Sequence, residues 1–275
     1  MDVTIVIPLY NPDKKILKEI GGAIKRQEYG GRINVIKVEG KGGLSAQLNY
    51  GIRKAKTEIV VSLHQDCVPA SDDWLKNLIE PFKESKVVAT VSKVELPKEF
   101  WEKFDLLAKI MSAKEQRVIT PLMDEKGCAY RKSAMEKIGF FEEEKFKTAG
   151  EDFDAWIKLK KIGEIAYPDV KILHYHEYSS GKNKKDYIFK NRFKKELQIS
   201  NGFGALVRIY GREMPNWFVG IIKSIPILGW PIFLIKFPYK KLGVKSLLWI
   251  PISLVVNIIY CRGFWKGFFE GRQSV

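Results

Sequence analysis

Only three cysteines occur in 275 residues, Cys67, Cys128 and Cys261, and they are odd in number and far apart. This excludes a disulfide-stapled scaffold, points to a reducing compartment and matches no zinc-ligand spacing. Histidine is equally scarce, with only His64, His174 and His176. The chain has neither a GxxxxGK-Ser/Thr phosphate loop nor a GxGxxG fingerprint, so two common nucleotide-binding devices are excluded. No internal repeat is visible. The opening MDVTIVIPLYNP carries an acidic second residue and an apolar run too short for a signal peptide, and reads as a first strand. Acidic residues are sparse in the C-terminal part. From Ser179 to Val275, 17 Lys/Arg stand against 4 Asp/Glu, whereas residues 1–178 are nearly balanced at 30 against 28. The net charge of +15 therefore belongs mainly to this tail, which is also the most apolar part of the chain. A basic, apolar and aromatic segment suits anionic lipid. Long apolar runs with interior prolines are not a nucleic-acid signature, so membrane lipid and not nucleic acid is the expected partner.

What remains is ample for a core, with 45% apolar residues including 16 Phe, 11 Tyr and 7 Trp. VTIVIPL (3–9) is a continuous apolar run, as expected of a parallel strand buried on both faces. Ile16, Leu17, Ile20 and Ile24 then recur at helical spacing. A second strand near Asn34–Val38 follows, then a helix from Ser45 to Lys56 and a third strand, Ile59–Leu63. This alternation predicts a doubly wound α/β domain. Further along, SDDWLKNLIEPF predicts a helix capped by Ser71 or Asp72, and VVATVSKVEL (87–96) predicts one strand. Residues 98–118 read as an amphipathic helix and 127–139 as a strand running into a helix. TAGEDFDAWIKLKKIG (148–163) reads as a glycine turn and helix, and 164–180 as a strand pair ending in histidines. In Asp186–Ile199, Phe189, Phe193 and Leu197 recur every four residues among Lys and Arg, which suits a helix lying on a membrane.

Chemistry concentrates at the predicted strand ends. Ile59–Pro69 delivers His64-Gln65-Asp66 from a buried strand, where open α/β sheets place their sites. A carboxylate there suits Mg²⁺ or Mn²⁺, and through the cation a diphosphate, although a plain polar turn explains the segment equally well. Glu151 and Asp152 start a predicted helix; they are either N-terminal anions held by the helix dipole or a general base. The dipole is expected to lower their pKa. His174 and His176 follow a strand and either serve structure or join Asp66 around a cation. Pro8, Tyr10 and Asn11 leave the first strand where an aromatic ring can flank a base, and Lys41 sits in a glycine-rich loop opening a helix, suited to phosphate or ribose.

In this order, VTIVIPLYN, GLSAQLNYGIRKAKTEIVVSLHQDCVP, GCAYRKSAMEKIGFF, AGEDFDAWIKLKKIG and ILHYHEYSS resemble glycosyltransferase family 2, the inverting sugar transferases with the GT-A fold, over roughly residues 1–210. The resemblance implies an α/β GT-A domain over 1–210, its last part (183–210) an amphipathic interfacial helix, followed by a basic, apolar, helical membrane-associated tail over 211–275. It implies a nucleotide-diphosphate sugar as donor and Mn²⁺ or Mg²⁺ as cofactor. Asp66 matches the last acid of the D-x-D metal motif, and His174, with His176 as rival, the later metal-site histidine. Asp152 matches the base, with Glu151 beside it. Pro8, Tyr10, Asn11 and Gln65 fall at donor-contacting positions, as do Glu39 and Lys41. Two departures stand out: His64 replaces the first D-x-D acid, and the usual acidic region after the second strand is shortened to Glu39-Gly40.

The expected activity is metal-assisted, inverting transfer of a sugar to a lipid-linked or cell-envelope glycan acceptor at the cytoplasmic face of the cell membrane. The alternative is a non-catalytic membrane-bound protein of the same fold that binds a sugar nucleotide or glycan. Two apolar stretches of 19 residues, Trp217–Ile235 and Leu242–Tyr260, flank a basic connection. Two full spans would put that connection outside, against the positive-inside rule, so helices that dip in or lie at the interface are expected.

Overall fold

The computed structural model describes residues 1–112, 123–146, 149–175, 192–235, 237, 239 and 242–274. The chain gathers into two compact units. The first comprises Met1–Pro97, Arg117–Glu143 and Glu151–His176, and the second Lys98–Gln116, Glu144–Gly150 and Glu177–Val275. In chain order the strands are β1 (Val3–Leu9), β2 (Ile33–Glu39), β3 (Ile59–Ser62), β4 (Cys67–Pro69), β5 (Val87–Val91), β6 (Lys93–Glu95), β7 (Cys128–Arg131), β8 (Glu164–Ala166) and β9 (Lys171–His174). The helices are α1 (Lys14–Lys25), α2 (Leu44–Lys54), α3 (Trp74–Ile79), α4 (Lys98–Lys103), α5 (Leu106–Ser112), α6 (Lys132–Ile138), α7 (Glu151–Lys160), α8 (Lys194–Tyr210), α9 (Trp217–Lys223), α10 (Trp230–Ile235) and α11 (Trp249–Glu270).

The first unit is built on a six-stranded sheet in the order β2-β1-β3-β7-β5-β8, with a second, three-stranded sheet β4-β9-β6. β1 runs parallel to β2 and β3, and β5 parallel to β8, while β7 is antiparallel to both its neighbours. The sheet is thus mixed. All seven residues of β1 and all four of β3 are buried, which is why both are apolar except at Thr4 and Ser62. Ile20 and Ile24 of α1 are buried, with Ile16 and Leu17 packed against the same core. Asp13 caps that helix, its Oδ1 accepting from Lys15 N at 2.7 Å. Gly51 lets α2 approach β1, because a Cβ there would overlap Val6 Cγ1. Gly51→Ala is expected to destabilise the chain by about 1–3 kcal/mol, as overpacking does, read as a lower urea midpoint at unchanged slope.

Three local readings are corrected. Asp73, not Ser71 or Asp72, stands at the N-cap position of α3, without a side-chain cap hydrogen bond; Ser71 Oγ donates to Asp73 Oδ1 and Asp72 pairs with Arg26. The single strand expected over 87–96 is two strands in different sheets, parted at Ser92, which is pinned by Trp74 Nε1 donating to its hydroxyl at 2.9 Å. β8 and β9 do not pair with each other; β8 joins β5, and β9 lies between β4 and β6.

In the second unit α8 packs along α11. A Cβ on Gly204 would overlap Phe264 O, and one on Gly267 would overlap Asn201 O, so the small residues set the close approach. Asn201 Nδ2 donates to Gly263 O at 3.2 Å across this contact. The apolar stretch 217–235 is broken at Ser224–Gly229 into α9 and α10, where Ile227 takes a φ of 66°. Among the described residues one helical stretch, Gly243–Glu270, is long and apolar enough to cross a membrane. Of the amphipathic segment expected over 186–199, residues 186–191 lie outside the described residues.

Candidate active site

Tyr10 and Gln65 meet just past the ends of β1 and β3, within the first unit. Leu63 N donates to Val6 O at 3.0 Å, carrying the pairing past β3. Next, Tyr10 N donates to Gln65 Oε1 at 2.6 Å and Gln65 Nε2 donates to Tyr10 O at 2.7 Å. The Gln65 amide is therefore occupied in fixing the Tyr10 backbone. The Tyr10 ring is 77% exposed, and Asn11 turns the chain with a φ of 44°. Pro8 is buried in β1, in register with Val38. Glu39 ends β2 exposed, and Lys41 lies exposed with its Nζ 4.9 Å from the Tyr50 ring centroid. Sequence reasoning missed Gln47. It is buried in α2, accepts from Leu9 N at 2.9 Å and donates to Gly42 O at 3.3 Å, tying the glycine loop to the end of β1. A polar residue between the apolar positions Ala46 and Leu48 is the signal that could have revealed it.

The antiparallel pairing of β4 with β9 sets Cys67 opposite His174 and brings a carboxylate and an imidazole together. Asp66 Oδ2 lies 3.0 Å from His174 Nε2, and Tyr175 N donates to Asp66 O at 2.8 Å. Burial alone would raise the Asp66 pKa, but the hydrogen bond with His174 and nearby positive charge, that of Lys126 included, outweigh it and hold the carboxyl well below its usual range. Ligand atoms of Asp66, Cys67 and His174 all lie within 4.8 Å of one another. Burial, then the Asp66 charge, push the Cys67 thiol well above its ordinary value, so it stays protonated and is no ligand for a hard cation. One carboxylate and one imidazole remain, a donor set that fits Mn²⁺ or Mg²⁺ with phosphate oxygens completing the shell. His176 lies outside the described residues.

His64, in place of the first D-x-D acid, is half-buried, with Nε2 3.9 Å from Glu125 Oε1. Burial, then the Lys126 charge, lower its pKa to about 4, so it is neutral and does not replace the missing negative charge. Asp124-Glu125-Lys126, just before β7, was also missed. Ser62 Oγ donates to Glu125 O at 2.6 Å, and Lys126 Nζ bonds both Asp124 carboxylate oxygens at 2.9 and 3.0 Å. At the start of α7 Glu151 is buried, while Asp152 is half-buried and accepts from Phe153 N at 2.8 Å. The expected lowering of these acids by the helix dipole is overturned. Burial, then the Glu125 charge, raise Glu151 to about 8. Burial, then Glu125 and Glu151, raise Asp152 well above a usual carboxylate. A single helix end cannot offset desolvation together with neighbouring acids.

Residues 12–139 match the family model of glycosyl transferase family 2, a span that holds Asp66 but neither Asp152 nor His174. The mannosyltransferase PcManGT from Pyrobaculum calidifontis, solved in complex with GDP-Man and Mn²⁺, superposes with a TM-score of 0.55 at 17% identity, over 96% of this chain and 86% of that one. GalNAc-T7, solved with UDP, GalNAc and Mn²⁺, gives 0.55 at 14% identity, over 93% of this chain and 57% of that one. No curated protein sequence matches the chain. Residues 12–139 thus match glycosyl transferase family 2, the chain has a GT-A fold, and it is a glycosyltransferase.

Proposed function

We propose that the chain is an inverting, metal-assisted transferase that moves a sugar from a nucleotide diphosphate to a lipid-linked or cell-envelope glycan acceptor. The observation that carries this reading is a pair of carboxylates in one unit driven in opposite directions: Asp66 is held ionised while Asp152 is raised. Such divergence is how a single site obtains a permanent anion and a proton acceptor. Asp66 and His174 would hold a divalent cation, which neutralises charge on the leaving diphosphate. The exposed Tyr10 ring would flank the nucleobase, with Asn11, Glu39 and Lys41 around the nucleoside and phosphates, and the buried Pro8 and the clamping Gln65 fixing that strand end. Asp152 takes the proton of the acceptor hydroxyl as the sugar is transferred. That both structural neighbours were solved with a nucleotide or nucleotide sugar and Mn²⁺ supports the donor class. Incubation with UDP-, GDP- and dTDP-sugars and Mn²⁺ should release nucleoside diphosphate; donor binding without any release would favour the non-catalytic alternative.

The raised acids give this reading a pH signature. The Glu125 charge lifts both Glu151 and Asp152. Glu125→Gln is therefore expected to let the base ionise at lower pH and move the acid limb of the kcat profile downward. An unmoved limb would separate Glu125 from the base.

The tail, 211–275, is proposed to hold the enzyme at the cytoplasmic face of the membrane. α10 has six residues and a length of about 9 Å, so neither half of the broken 217–235 stretch crosses a hydrocarbon core of about 30 Å. Ile227, Leu228 and Ile235 are exposed at 72%, 71% and 81%, as helices dipping into lipid require. A cysteine at Tyr239 should resist an impermeant thiol reagent in sealed right-side-out cells. The three native cysteines are buried and give little background, and labelling at 239 would place the connection outside.

A further inference from the structure

We infer that Gln47 is a positioning residue for the donor: its side-chain amide fixes the glycine loop 40–43 against the end of β1 and so sets where Lys41 meets the donor phosphates. This rests on the nucleotide-sugar part of the proposed function and adds to it a residue that acts through its neighbours.

Gln47 is 4% exposed on α2. Its Oε1 accepts from Leu9 N at 2.9 Å and its Nε2 donates to Gly42 O at 3.3 Å. The pair of bonds demands this residue type. A side-chain amide carries an acceptor and a donor on one planar group, whereas a carboxylate lacks the donor and an aliphatic chain lacks both. One residue further along β1, Gln65 makes the same pair with Tyr10, accepting from its N at 2.6 Å and donating to its O at 2.7 Å. Two glutamines, one from α2 and one from the segment between β3 and β4, thus hold consecutive backbone amides where β1 ends. Gln65 closes on Tyr10 alone. Gln47 directs its donor to the loop.

The loop needs such a tie. Gly40 and Gly42 take φ of 68° and 87°, and the freedom that lets glycine adopt these angles also gives an untied loop many alternatives. Gly43 stands at the N-cap of α2 without a side-chain cap hydrogen bond. Glu39, just before the loop, is in register with Leu9, so Gln47 joins two neighbouring segments at the same end of the sheet. Lys41 lies exposed within this loop. A loop already in place costs the donor less ordering on binding, and that gain falls on affinity and not on the chemical step. Asn49, also buried in α2, makes the same pair of bonds elsewhere: its Nδ2 donates to Phe141 O at 2.8 Å and its Oδ1 accepts from Phe141 N at 3.0 Å. It is the matched control for loss of a buried amide.

The test uses the full chain with Mn²⁺ and whichever of the UDP-, GDP- and dTDP-sugars it binds. Gln47→Met keeps the length of the side chain and removes both bonds. Donor Kd by calorimetry and donor KM should each rise about tenfold, with kcat at saturating donor held within about twofold. Lys41→Gln should weaken donor binding several-fold in the wild type and add almost nothing in Gln47→Met, because the freed loop no longer presents that residue. Asn49→Leu should lower the urea midpoint and leave donor Kd unchanged. Gln47→Asn, one methylene shorter and unable to reach both partners, should show the same rise in Kd and keeps the test decisive if Gln47→Met fails to fold. Wild-type Kd in a folded Gln47 variant, a loss in kcat in place of KM, or equal weakening by Asn49→Leu overturns the assignment and leaves the donor site standing. Losses at Lys41 and Gln47 that simply multiply do the same. A wild type that binds none of the three donors overturns the nucleotide-sugar reading, and the role of Gln47 with it.

Discussion

Asp152→Asn is expected to abolish sugar transfer and to leave nucleotide-sugar binding nearly unchanged. Asparagine keeps the shape of the side chain and the oxygen that accepts from Phe153 N, so the start of α7 is preserved. It removes the only property the mechanism asks of this residue, the ability to take a proton. General-base catalysis contributes about 10²–10⁴-fold, and the loss should fall in kcat with donor affinity spared. Nucleoside diphosphate release and calorimetric titration of the donor separate the two. Turnover above a tenth of wild type would remove Asp152 from the mechanism.

Glu151→Gln is the informative companion, because its outcome should differ. With its pKa raised to about 8, Glu151 is mostly protonated at neutral pH, and glutamine mimics that neutral form. Activity near neutrality should survive. The same shift has a sign for stability. A carboxyl raised in the folded state contributes fully below its unfolded value of 4.5, and that contribution is lost as pH rises through about 8. Glu151→Gln should therefore flatten the fall in unfolding free energy between about pH 4.5 and 8. If Glu151→Gln were the inactive variant and Asp152→Asn the active one, the two acids would exchange roles.

The parts of this molecule that could be read in the sequence are those where a local pattern and the tertiary role coincide. β1 and β3 are buried on both faces, so apart from Thr4 and Ser62 their residues are apolar and no register needed to be guessed. Asp66 could be placed because a strand had to end there, and His174 because a second strand ends in it. What could not be read depends on partners distant in sequence. β5 and β6 share one apolar rhythm, and only the long-range contacts of Ser92, with Trp74 and Gly127, divide them between sheets. Gln65 reads as a possible donor contact, yet its amide is engaged by a backbone 55 residues away. Asp124-Glu125-Lys126 reads as an ordinary polar turn. Its importance comes from burial beside the first turn of α7, which reverses the pKa expected from helix position alone. Sequence reasoning gave Asp152 its local helix end but not the acids that surround it.

Asp66→Ala is expected to remove the metal dependence of donor binding. In the wild type Mn²⁺ should tighten the nucleotide sugar, because the carboxylate stays ionised throughout the working pH range and can share a cation with the diphosphate. Alanine leaves His174 as the one ligand of the pair. The affinity gained from Mn²⁺ should fall by at least the ~10–100-fold that even loss of an outer-shell partner costs a metal site. Affinity without metal should hardly change, since neither Tyr10 nor its Gln65 clamp is touched, and the bond from Tyr175 N to the Asp66 carbonyl is backbone to backbone. His174→Ala should show a milder form of the same defect, because a neutral ligand is lost and the charge remains. Titrating the donor with Mn²⁺ and again after chelation measures both terms. A wild type that gains nothing from metal defeats the assignment outright, and the defect appearing in His176→Ala in place of His174→Ala would transfer the imidazole role to that residue.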